Sequence, residues 1–130
     1  MKKRIVSLAL ALVIMLIALP TYAGSFTFTD RRVYGDDSQT VCTVSASHTN
    51  YATLDVTDIT LNYGQKHITF RTYYNGSQLM TNGVNVKTTD TYTLTYDLGS
   101  VSVGNKVKLK ASIPSTNANY YCEFSGSVVI

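Results

Sequence analysis

The chain has 130 residues, with 11 Lys plus Arg against 8 Asp plus Glu and a formal net charge of +3. Lys2, Lys3 and Arg4 lie in the first 23 positions, so residues 24–130 carry eight charges of each sign. That balance excludes a sequence-level case for binding nucleic acid or an anionic membrane, and the length is that of one domain.

The three basic residues open a segment that continues as an apolar run from Ile5 to Leu19, broken only by Ser7. Pro20 ends the run, and Thr21 and Ala23 supply small residues at −3 and −1 of a cleavage site. The pattern predicts a signal peptide over 1–23 and a secreted domain over 24–130. The run is shorter than the ~20 residues of a membrane span, so no span is expected after cleavage. No Cys stands at the expected cleavage site to accept a lipid.

Residues 24–130 hold 17 Thr and 9 Tyr, types that suit a pleated, half-buried surface. Phe26 to Thr29 reads as a first strand and Asp30 to Ser38 as a loop. In Val41 to Ser47, Cys42, Val44 and Ala46 share one face. Leu54 to Leu61 starts in one phase, at Leu54 and Val56, and finishes in the other, at Ile59 and Leu61. That slip predicts a β-bulge near Thr57-Asp58 or two short strands. Asn62-Tyr63-Gly64 is a turn. Lys66 to Tyr74 then alternates, with Ile68, Phe70, Thr72 and Tyr74 inward. Asn75-Gly76 and Asn82-Gly83 are expected primed turns, with short strands at Gln78 to Met80 and Val84 to Lys87. Thr91 to Leu98 points Tyr92, Leu94, Tyr96 and Leu98 inward. The chain is expected to end in a hairpin. One arm carries Val107, Leu109, Ala111 and Ile113 inward and Lys106, Lys108 and Lys110 outward. The other carries Tyr120, Cys122, Phe124, Gly126 and Val128 inward. Pairing Ile113 with Tyr120 sets Lys110 opposite Glu123.

About eight strands and no helical period predict an all-β fold, an antiparallel β-sandwich, with a small barrel as the alternative. Two cysteines in an exported chain, both on core-facing positions, predict one inter-sheet disulfide between Cys42 and Cys122. Closing that loop is worth roughly 4.5 kcal/mol in the chain-entropy treatment. Asn117 to Cys122, with Tyr120 two residues before the cysteine, resembles the sixth-strand segment of immunoglobulin domains. Val41 to Ser45 resembles their first-cysteine strand. The resemblance implies an immunoglobulin-like architecture. It stops short of family membership, because the chain has no Trp and only eight residues follow Cys122.

Motifs for catalysis are thin. Tyr34-Gly35-Asp36-Asp37 matches a polymerase signature over four residues, in a chain far too short for a polymerase. Asp30, Asp36 and Asp37 lack the spacing of a calcium loop and read as a solvated turn. His48 and His67 form no zinc pattern, and Glu123 is the only glutamate. No catalytic residue, metal or cofactor is expected. Tyr51, Tyr73 and Tyr121 fall outward or in loops and are the candidate binding residues, suited to stacking on sugars or anchoring a protein. Asn75-Gly76-Ser77 is a glycosylation sequon that the turn alone explains. The expected function is a secreted, non-enzymatic binding module acting on an extracellular protein or glycan. A bacteriocin-like toxin is the alternative, and an enzyme or its inhibitor the third. Phe124 to Ile130, uncharged and apolar at its end, adds self-association if the strand lies at a sheet edge.

Overall fold

A computed structural model describes residues 24–130; the expected signal peptide lies outside them. Among the described residues there is no helix. The strands are β1 (Ser25–Tyr34), β2 (Gln39–Ser45), β3 (Tyr51–Thr60), β4 (Ile68–Tyr74), β5 (Ser77–Gln78), β6 (Val84–Val86), β7 (Asp90–Thr95), β8 (Lys106–Ser112) and β9 (Tyr121–Val129). They form two antiparallel sheets. One runs β1-β9-β3-β7. The other runs β2-β8-β4-β5, with β6 also on β4. Alternation supplies each sheet with one apolar face, and the two faces meet in a shared core. Phe70 of one sheet packs edge-on against Phe124 of the other at 5.1 Å, and Phe28 packs on Phe124 at 5.3 Å. Leu54, Ile68, Leu94, Leu109 and Val128 are fully buried around them.

The all-β expectation and the two antiparallel sheets are found; the immunoglobulin-like strand order is not. In immunoglobulin domains the first two strands pair within one sheet. Here β1 and β2 lie in different sheets, and the pairs β1/β9, β2/β8, β3/β7 and β4/β5 join the two halves of the chain from its ends to its middle. This is a long hairpin rolled over on itself, the winding of a jelly roll.

The same winding corrects the terminal hairpin. Val107 to Ile113 and Tyr120 to Val128 do face inward, but in opposite sheets, so β8 and β9 do not pair. Lys110 lies opposite Thr40 and Arg71, and Glu123 opposite Arg32 and Thr60. Strand β9 is not at an edge, because β1 and β3 flank it on both sides. Self-association through the C-terminal strand therefore has no free row of backbone groups to use.

The disulfide is also absent: Cys42 and Cys122 are free, buried thiols. Both face the core, one in each sheet, as the phases required. The register slips between Thr40 and Cys42, so Val41 and Cys42 are buried together. A bulge re-aims the side chain that follows it. The Cys42 thiol lies by the backbone of Leu109, its neighbour within the sheet, and the Cys122 thiol by that of Asn62.

Other local signals held. The phase slip in β3 is a bulge between Val56 and Asp58. Asn75 and Gly76 both have positive φ, 49° and 80°, as a primed turn needs. Asn82-Gly83 does not take that form; a Cβ at Gly83 would meet the Thr69 side chain at 2.3 Å, so its glycine serves close packing. Strand β1 runs five residues past Thr29, because a bulge after Phe28 lets pairing resume at Arg31. Leu98, expected inward, is 58% exposed, because β7 ends at Thr95.

Candidate functional site

One end of the molecule gathers three connections: Tyr34 to Ser38, Asn62 to His67, and Ile113 to Tyr120. Gly35 N–H donates to the Tyr120 carbonyl at 2.9 Å, and Asp36 N–H to that of Ser115 at 3.0 Å. Ser115 N–H donates to Gln65 Oε1 at 3.2 Å, joining the third segment. A side chain at Gly35 would strike the Asn117 carbonyl at 2.2 Å, so glycine permits this approach.

The stitching brings four tyrosines together. Tyr63 and Tyr120 stack in parallel, 4.6 Å apart with 3° between planes. Tyr121 lies edge-on to Tyr63 at 5.6 Å and 5.8 Å from Tyr34. The Arg32 guanidinium sits 4.7 Å from the Tyr121 ring centre, and its Nε donates to Glu123 Oε1 at 2.6 Å. That hydrogen bond, followed by one to Tyr34, raises the Arg32 pKa.

Tyr63 is the unusual member. Asn62 to Gln65 is a turn closed by Gln65 N–H donating to the Asn62 carbonyl, with φ of 55° at Tyr63 and 72° at Gly64. Left-handed geometry costs an ordinary side chain roughly 1–2 kcal/mol, and Asn or Gly normally fills such a place. Tyr63 is nevertheless 53% exposed. Two open grooves flank the Pro114-Ser115 ridge beside the tyrosines. One, of about 330 Å³, is walled by Gly64 to His67; the other, of about 270 Å³, by Asp36 to Ser38.

The candidate tyrosines scatter. Only Tyr121 belongs to this end. Tyr51 opens β3, nine residues before the strand's far end, and so lies roughly 30 Å from the cluster at the usual rise per residue. It is 39% exposed and packs on His48 at 4.3 Å. Tyr73 lies on the outer face of the other sheet, under Lys110. Sequence reasoning missed Tyr34, Tyr63 and Tyr120. The one available signal was a large aromatic inside the turn Asn62-Tyr63-Gly64. The acidic loop serves as turn chemistry: Ser125 Oγ lies near Asp30, and Asp37 accepts from Ser38 N–H. Among the described residues no three His, Cys, Asp or Glu side chains converge as metal ligands would.

No protein-family model matches the chain, and no curated protein is significantly similar to it.

Proposed function

We propose that the protein is an exported, non-enzymatic binding module whose ligand, an extracellular protein or glycan, docks on the tyrosine end. The observation that carries this reading is Tyr63, an exposed aromatic held in a left-handed turn and stacked on Tyr120. Strained backbone of this kind clusters at functional sites. Parallel and edge-on rings offer an aromatic platform, which suits the faces of sugars or an interface anchor. The leader-like first 23 residues support export.

The test uses purified protein against immobilised polysaccharides and extracellular protein extracts, beside a Tyr63→Asn variant. Asn tolerates the left-handed turn, so the variant removes the ring and keeps the fold. Binding that falls at least about tenfold, with the melting temperature within a few degrees of wild type, is the expected result. Undiminished binding by Tyr63→Asn would refute the assignment of the tyrosine end.

A further inference from the structure

The balanced charge of residues 24–130 conceals a segregation. The strands of the five-stranded sheet carry Arg71, Lys106, Lys108 and Lys110 and no carboxylate. The strands of the other sheet carry Asp30, Asp55, Asp58, Asp90 and Glu123 against Arg31 and Arg32. From this face we propose a second binding surface: the outer face of the five-stranded sheet binds a linear anionic polysaccharide.

Lys106, Lys108 and Lys110 alternate with the buried Val107 and Leu109, so they stand in one row along β8. Their spacing is about 6.7 Å per step, a row of roughly 13 Å. Arg71 lies directly opposite Lys110 on the neighbouring strand. Like charges so placed destabilise a sheet, so the fold gains nothing from the pair. The side chains spread sideways: Lys106 Nζ donates to Ser45 Oγ at 2.8 Å, and Lys110 Nζ rests 4.8 Å from the Tyr73 ring centre. The result is a cationic strip lined with the hydroxyls of Thr43, Ser45 and Tyr73. Among the described residues the one ion pair is Arg32–Glu123, in the other sheet.

The chemistry of the face selects the polyanion. The outer face of a sheet presents no helix or isolated ribbon to enter a DNA groove. Its one aromatic is capped by Lys110 and bonded through its hydroxyl to Gln78 Oε1, so it is no free stacking platform for single-stranded bases. Of the exposed large hydrophobics, Phe26, Tyr51, Tyr63 and Leu98 lie outside this sheet and Val103 in the turn before Lys106, so the strip itself carries no apolar side chain to insert into a lipid surface. A second copy offers its acidic sheet, but Glu123 is paired with Arg32 and Asp55 accepts from Thr91 Oγ1. A linear glycan bearing sulfate, phosphate or uronate groups needs only what is present: a row of cations flanked by hydroxyls on the neighbouring strands.

The test passes purified protein over immobilised heparin, a sulfated linear polysaccharide. Retention at about 0.15 M salt and a log–log salt slope near −3, set by about four released counterions, are expected. The double variant Lys108→Gln, Lys110→Gln should lose at least tenfold in affinity. Lys110→Arg, Tyr63→Asn, and the loop pair Lys66→Gln, Lys87→Gln should each stay within about twofold of wild type. Because Tyr63→Asn leaves this face intact, failure here and failure at the tyrosine end are distinguishable. The proposal is overturned if wild type flows through, or if the loop pair loses as much as the strand pair. It is equally overturned if single-stranded DNA or phosphatidylglycerol vesicles bind more tightly than heparin at equal salt. Sedimentation showing self-association abolished by the strand substitutions, without heparin binding, would replace the glycan with a second copy.

Discussion

Gly126 lies midway along β9, opposite Phe28 on one side and Val56 on the other. Both neighbours bulge at the next step, after Phe28 in β1 and after Val56 in β3. A methyl at position 126 would sit 2.0 Å from the Asp55 carbonyl oxygen, 3.0 Å from its carbon and 3.1 Å from the Val56 Cα. All three are backbone atoms of a strand paired on both edges, so no side chain can rotate away. Gly126→Ala must shift β3 against β9 and weaken the pairing there. Overpacking in a core costs roughly 1–3 kcal/mol, and the loss here should fall near the top, about 3 kcal/mol. For a domain of this size that lowers the melting temperature by about 12 °C. Gly99 is the control: a Cβ there meets nothing within 4 Å, so Gly99→Ala should be neutral or stabilise by up to about 1 kcal/mol. Urea and thermal unfolding of the three proteins measure the difference. Gly126→Ala within about 0.5 kcal/mol of the control would sink the claim that the double bulge admits only glycine.

The unbonded cysteines make a second expectation. In native protein near neutral pH the buried thiols should resist alkylation, and burial pushes the Cys42 thiol up to about 11, which lowers its thiolate fraction further. After denaturation without reductant, mass spectrometry should find two alkylated cysteines; none would restore the disulfide. A third expectation concerns alkaline pH. Burial raises Cys42 to about 11 and the Tyr96 phenol to about 12, from ordinary values of 9.0 and 10.0. Each folded-state value lies above its unfolded one, so the stabilisation is complete below about pH 9 and is lost as pH rises through 11 to 12. The loss should reach up to about 3 kcal/mol per group. Among the described residues the buried Tyr96 hydroxyl lies beside Thr72 but makes no well-formed hydrogen bond, so Tyr96→Phe should keep neutral-pH stability and blunt the alkaline loss. An unchanged alkaline midpoint in that variant would count against burial of the phenol.

Much of the local structure was legible in the residues. The out-of-phase pairs Leu54/Val56 and Ile59/Leu61 located the β3 bulge, and Asn75-Gly76 located its turn. Alternation identified the inward faces of β8 and β9, because burial is written residue by residue. It could not say which sheet each strand joins, since an inward face looks the same from either side of a sandwich. The expected Lys110–Glu123 pair failed on that point alone. The candidate site failed similarly. Tyr34, Tyr63 and Tyr121 are 29 and 58 residues apart in sequence and meet only through the winding. Net charge likewise erased the difference between Lys106-Lys108-Lys110 and Asp55-Asp58, because a sum over the chain carries no position.

The rolled hairpin also sets a timetable. The Asn75-Gly76 turn joins Tyr74 to Ser77 across three positions. The next pairs outward close at Val56 with Asp90, Ser45 with Lys106, and Tyr34 with Tyr121. Each of these brings together residues farther apart than the last, so each must overcome a larger loop entropy unless the pair inside it has already formed. Nucleation at the midpoint and growth toward both ends is the cheapest route, and a chain so dominated by distant contacts belongs among the slow folders. The tyrosine end, which needs β1 against β9, would then assemble only as the last of these pairings begins, at Tyr34 and Tyr121. The surface proposed to meet a ligand would exist only in molecules whose three inner pairings have already formed.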